Sequence, residues 1–239
     1  MKSLLTLLAA LLFALPGVAA PRLVLNSSFF APITSPAHDG ALDLLYAELF
    51  RRVGLDVWIQ PASAERGLLN ANSGIDDGDV SRVLGIEQSY TNLVRVPERV
   101  MTYQMVVFTR HADFTVDGAA SLRPYDVGIL TGWKVLERSI TGTRSLQKLE
   151  TGHQLFAMLA MDRIDVAVIE KLEGLQFVHS MGLQGVKVLE PAYVEGDWFL
   201  YLNKKHAALV PRLAEQIRLM KRDGSYQRIF EQALHGAPH

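Results

Sequence analysis

Four places in the chain carry residues whose types and spacing could do chemistry. Arg82 closes the stretch SAERGLLNANSGIDDGDVSR (63–82), in which Asp76, Asp77, Asp79 and Arg82 stand within seven residues. A guanidinium at such a place can hold a carboxylate through two parallel hydrogen bonds, which supplies charge and orientation together. Thr131, Gly132 and Trp133 follow the apolar run DVGIL, where the start of a helix would offer free backbone N–H groups to an anion. Glu170 follows IDVAVI, and a carboxylate at the end of a strand is placed to accept from an ammonium. Phe29 and Phe30 stand in the turn-rich loop SSFFAPITSPAHDG, as cover for the core beneath or as aromatic surface for a bound molecule. Each of these also reads as a solvated turn or as packing, so spacing leaves them as candidates.

Other chemistries lack their signatures. There is no cysteine, and no nucleophile elbow, zinc-protease helix, phosphate loop or dinucleotide fingerprint. Asp76, Asp77 and Asp79 lack calcium-loop spacing. No metal and no cofactor is expected.

The candidates need elements to hold them. In Ala41–Val53, Leu42, Leu45, Tyr46, Leu49, Phe50 and Val53 recur at the spacing of one helix face, with Asp39 as N-cap and Gly54 as stop. RLVLN before it and DVWIQ after it read as strands, and Ser63–Asn72 as the next helix. That rhythm predicts an α/β fold with parallel pairing. The Gly, Asp, Asn and Ser residues of 72–79 read as a polar turn. A second alternating set runs from about 110 to 190, through DVGIL, a helix at 133–140, a helix divided from a strand at Gly152, then IDVAVI and GVKVL. Glu190-Pro191 interrupts it, WFLYL (198–202) restarts a strand, and two helices follow, the longer carrying Leu209, Leu213, Ile217 and Met220.

The 239 residues carry 24 Lys and Arg against 25 Asp and Glu, a balance without the basic excess that a nucleic-acid surface needs. Residues 1–20 have Lys2, an apolar run of about twelve residues, a Pro-Gly break and small residues before Pro21. They read as a secretory signal peptide, too short to span a bilayer. An exported chain without cysteine relies on core packing rather than disulfides.

In order and spacing, GALDLLYAELFRRVG, DGDVSRVLGIEQSYTNLVRVP, DVGILTG, MLAMDRIDVAVIE and YLNKKHAALVPRLAEQIRLMKRDGSYQRIF resemble the family-three extracellular solute-binding proteins, the receptors of polar amino-acid transport. The resemblance covers nearly all of the mature chain and points to a divergent branch. It implies a type II periplasmic-binding-protein fold, α/β with two lobes and two crossings, near Thr109–Arg110 and Glu190–Tyr193. Lobe one would be 21–109 with 191–239, and lobe two 110–190. It further implies a periplasmic monomer, not an enzyme, that captures a small polar solute for an inner-membrane ABC permease. The solute would be an amino acid or related carboxylate. Arg82 would then hold the ligand carboxylate with Thr131 or its neighbours Gly132 and Trp133, Glu170 the ammonium, and Phe29 or Phe30 the ligand body. Two departures are visible: DVSR replaces the family's T-x-x-R approach, and glutamate replaces its usual aspartate at 170. Two alternatives remain: a sensory or interaction module, and a cyclohexadienyl-type dehydratase with Glu170 or Glu137 as general acid.

Overall fold

Parallel pairing begins at the first strand of the computed structural model, which describes residues 22–235. The expected signal peptide, residues 1–20, lies outside the described residues. β1 (Arg22–Ser27) runs through a long loop into α1 (Ala41–Arg52), and β2 (Asp56–Pro61) returns parallel to β1, Leu25 opposite Ile59. α1 buries Leu42, Leu45, Tyr46, Leu49 and Phe50, the face that the periodicity predicts. Its cap is Gly40 rather than Asp39. A Cβ at 40 would lie 2.6 Å from the Ile33 carbonyl, and the Asp43 carboxylate reaches back to accept from the Gly40 N–H at 3.1 Å. α2 (Ala64–Ser73) starts at Ser63 and ends on Gly74, whose φ of 80° suits a residue without Cβ.

Of the stretch read as a polar turn, residues 74–77 do turn, but from Gly78 the chain becomes a buried strand. β3 (Gly78–Arg82) is enclosed at every residue and lies between β1 and the last strand of the sheet. A side chain at Gly78 would collide with the Tyr201 carbonyl. The polar residues are tolerated because they pair. Asp76 accepts from Asn26 and Asn70, each at 2.9 Å, Asp77 from the Val24 N–H at 2.8 Å, and Asp79 meets Arg82. A buried polar group with partners loses little of what water gave it.

Two 17-residue strands join the halves. β4 (Leu93–Thr109) takes in far more than the Tyr103–Thr109 strand of the sequence reading. In the second half, α3 (Gly118–Leu122), β5 (Asp126–Leu130), α4 (Lys134–Ser139), β6 (Ser145–Leu149), α5 (Gly152–Ala160), β7 (Val166–Glu170) and α6 (Lys171–Ser180) follow in turn. α5 is capped by Thr151; α6 had no sequence counterpart. β8 (Lys187–Asn203) unites GVKVL and WFLYL. Pro191 does not end the strand, because the β4–β8 register shifts between Met105 and Val107 and the ladder resumes at Val194. α7 (Val210–Arg222) and α8 (Ser225–Leu234) complete the chain, α8 packing on α1.

The sheet order is β2-β1-β3-β8-β4-β7-β5-β6. Each half repeats one scheme. A central strand (β1 or β5) is flanked by its successor (β2 or β6) on the outside and by a third parallel strand (β3 or β7) on the inside. The inner strands then meet the long antiparallel pair, β3 on β8 and β7 on β4. One apolar core runs through both halves, and a smaller cluster of Leu68, Ala71, Ile86, Leu93 and Tyr201 lies under α2. In a sheet of this kind the loops at the carboxyl ends of the parallel strands form the binding crevice.

Candidate functional site

Each predicted candidate sits at the carboxyl end of a parallel strand. Phe29 and Phe30 follow β1, Arg82 ends β3, Thr131–Trp133 follow β5 and Glu170 ends β7. The strand order then divides them. β1, β2, β5 and β6 lie away from the long strands, and the loops after them surround a chamber of about 530 Å³. Its walls include Phe29, Phe30 and Trp58 from the first half, and Leu130, Thr131 and Trp133 from the second. Arg82 and Glu170, on the inner strands, do not line it.

Phe29 and Trp133 form the partition. Their rings meet edge to face at 5.6 Å, and Phe29 packs on Trp198 at 4.4 Å, with Tyr103 stacked behind at 5.1 Å. Behind this wall is a hollow of only about 30 Å³, bounded by Ser81, Arg82, Met105, Lys134 and Trp198, room for about one water. Arg82 Nη2 donates to Asp79 Oδ2 at 2.6 Å and to the Ala64 carbonyl at 2.9 Å. Arg82 Nε and Ser81 Oγ are buried without partners among the described residues. Burial pushes the Asp79 carboxyl up, and the Arg82 charge opposes it.

The N–H groups of the three turn residues after β5 are themselves taken. Thr131 N–H donates to the Leu149 carbonyl at 2.9 Å, Gly132 N–H to Glu137 Oε1 at 3.1 Å and Trp133 N–H to the Leu130 carbonyl at 3.4 Å. Gly132 is instead a point of close approach between halves. Its φ is 81°, and a Cβ there would lie 2.5 Å from the Glu65 backbone nitrogen. Beside it, Lys134 bridges Glu65 on α2 and Glu137 on α4. Burial alone would raise Glu137, but the Gly132 N–H, Lys134 and Lys148 hold its carboxyl below the ordinary value. A carboxylate held ionised in this way is poorly suited to act as a general acid.

Glu170 faces its own helix. It caps α6, accepting from the Glu173 N–H at 3.0 Å, and is only 2% exposed. Burial pushes its carboxyl up to about 7, against the backbone N–H groups that favour the charge. Glu173, buried one turn on, is driven well above its usual range by burial and then by the Glu170 charge. Its Oε1 accepts from the Phe30 N–H at 2.6 Å, which ties α6 to the loop after β1. Its Oε2 has no partner among the described residues.

Sequence reasoning missed His38, Trp58, Ser63, Glu150 and Thr151, all of which line the chamber. Glu150 carried a usable signal: it directly follows a second strand, β6, which any parallel pairing brings beside the first. Among the described residues, no group of His, Cys, Asp and Glu could hold a metal ion, and no helix is long and apolar enough to cross a membrane.

No protein-family model matches the sequence. An uncharacterised protein of Shewanella oneidensis is 26% identical over 203 residues, covering 80% of this chain and 75% of its own. An ancestral arginine-binding protein bound to glutamine has a TM-score of 0.74 at 16% identity, covering 88% of this chain and 96% of its own. An amino acid ABC transporter substrate-binding protein of Streptococcus pneumoniae, AbpA, bound to L-arginine, has a TM-score of 0.73 at 16% identity, covering 91% and 96%. A histidine kinase sensor domain with similarity to periplasmic binding proteins has a TM-score of 0.71 at 16% identity, covering 90% and 96%. The fold is therefore the two-lobe, type II periplasmic-binding-protein fold. At these identities the likeness concerns architecture, and the side chains of the site are this chain's own.

Proposed function

We propose that the protein is a solute-binding protein that captures a small solute by closing two lobes around the chamber. Lobe one comprises 21–109 and 191–239, lobe two 110–190, and the long strands β4 and β8 carry the hinge between them. The observation that carries this reading is that a single chamber takes its walls from the loops after β1 and β2 and from those after β5 and β6. A solute held there gains contacts from both halves only when they are together, so binding favours closure. Phe29, Phe30, Thr131 and Trp133 contact the solute. Gly132 permits the close approach, and Arg82 lies behind the partition. The captured solute is passed to an inner-membrane ABC permease by a monomer exported to the periplasm.

A thermal-shift screen of the purified protein against amino acids, small carboxylates and polyamines, followed by equilibrium dialysis, tests the reading. Stabilisation by at least one class is expected, with a smaller radius of gyration in solution scattering. No stabilisation by any of them overturns it. The likeness to a histidine kinase sensor domain favours one second reading, in which the same capture feeds a signal instead of a permease. Deletion that abolishes a two-component response while leaving solute uptake unchanged selects that alternative.

A further inference from the structure

The chamber differs in charge and surface from a site made for a zwitterion. Phe29, Phe30, Trp58 and Trp133 give it four aromatic side chains, with Ile59, Pro61 and Leu130 between them. Among the described residues lining it there is one carboxylate, Glu150, and no lysine or arginine. The nearby cations are engaged elsewhere. Arg82 is behind the partition on Asp79. Arg22 lies over the Trp58 ring, 4.5 Å from its centroid, and pairs with Asp56 at 3.5 Å. Lys148 pairs with Glu137 at 3.4 Å. His38, which does line the chamber, rests on Trp58 at 4.2 Å and has the buried Asp43 carboxylate 3.8 Å from its Nδ1.

Several polar groups of the lining are also taken. Ser27 and Thr34 bond to each other at 2.8 Å, Thr34 donates to the Phe29 carbonyl, and Ser35 donates to Asp39. Thr151 accepts from Gln154 at the start of α5. Ser63 makes no capping bond, and Glu150 is exposed, its own N–H donating to Gln154. A carboxylate entering this chamber would give up water without meeting a cation, which is costly. A ring would bury well against the aromatic walls. A positive group would find the Glu150 carboxylate and the exposed Phe30 ring, the Trp58 ring already having Arg22 and His38 against it.

Building on the solute-capture reading, we propose that the ligand is an arylalkylamine, a planar ring joined to a protonated amine and lacking a carboxylate. The ring lies among Phe29, Phe30, Trp58 and Trp133, and the ammonium lies toward Glu150. The two readings fail differently. Titration calorimetry of the full chain uses tyramine, 3-(4-hydroxyphenyl)propionate (the same ring with an acid in place of the amine), tyrosine, arginine and glutamine. The expected result is saturable tyramine binding, with the ring acid and the amino acids at least tenfold weaker. Glu150→Gln and Trp58→Ala change exposed or half-exposed side chains, so both variants should fold. Each is expected to weaken tyramine about fivefold or more. Equal or tighter binding of the ring acid or of any amino acid overturns the arylalkylamine assignment and leaves solute capture standing. Tyramine binding that both variants leave unchanged also overturns it, because the ligand would then lie elsewhere. If none of the five binds, the assignment fails, and the broader screen above decides whether capture fails with it.

Discussion

The two sides of the Phe29–Trp133 partition are built to opposite rules. On the side of the long strands β4 and β8, charge is buried and space is nearly absent: Asp79, Arg82, Glu170 and Glu173 are each 8% exposed or less, and Arg82 borders a hollow of about 30 Å³. On the open side there are about 530 Å³ of aromatic-walled space and one exposed carboxylate. The enclosed side also contrasts within itself. Asp79 has a guanidinium at 2.6 Å, whereas Glu170 and Glu173 have each other and backbone N–H groups. A buried acid with a cation holds its strand in place. A buried pair without one favours binding a proton. The residues best qualified by charge are thus enclosed behind the partition, while the open space is lined by residues of little charge.

The sharpest way to break this comparison is to remove the guanidinium. Arg82→Ala leaves Asp79 buried and unpaired, and a loss of about 3–5 kcal/mol in urea unfolding is expected. An Asp79→Leu/Arg82→Met double variant should recover much of it. A loss below about 1 kcal/mol would show that Arg82 is free for a ligand after all.

The acid pair comes next. The folded value of Glu170, about 7, lies above its ordinary 4.5, so the folded state binds the extra proton between those limits. Its stabilising contribution is fully present below pH 4.5 and is lost as pH rises through 7, a change on the order of 3 kcal/mol. Unfolding free energy should therefore fall from pH 5 to pH 8 in the wild type and be flatter in Glu170→Gln and Glu173→Gln. A wild-type profile parallel to both variants would remove the pair as its cause.

Smaller effects probe the seam between halves. Gly132→Ala combines a disfavoured φ with a Cβ against the Glu65 backbone. It should cost about 1–3 kcal/mol and enlarge the radius of gyration of the protein, because closure brings 132 and 65 together. An unchanged radius would place the closing contact elsewhere. Lys134→Met, which removes the half-exposed bridge to Glu65, is expected to change stability by only about 0.2–1 kcal/mol.

Local pattern was enough wherever one element buries one face. The α1 stripe, the helix beginning at Ser63 and the division at Gly152 were all legible, because period and turn chemistry are properties of neighbouring residues. GDVSR was misread as a turn, since its polar composition is tolerated only once β1 and β8 flank it and Asp79 finds Arg82. β8 was read as two pieces because Pro191 interrupts the local pattern, and only the bulged ladder with β4 carries the strand across it.

By itself the sequence determined the alternating α/β rhythm, the two sets and the placing of Phe29, Phe30, Thr131–Trp133 and Glu170 at or after strand ends; that Arg82 ends a strand came only with the structure. The sequence could not rank those ends. Strand order is a non-local property, and it alone decided that β3 and β7 lie against the long strands β8 and β4 while β1, β2, β5 and β6 open onto the chamber. The same order joined Trp58 to Trp133 in one wall and left Arg82 behind it. Pairing across the sheet, rather than the chemistry of any one residue, sets which charges are enclosed and which surfaces a solute can reach.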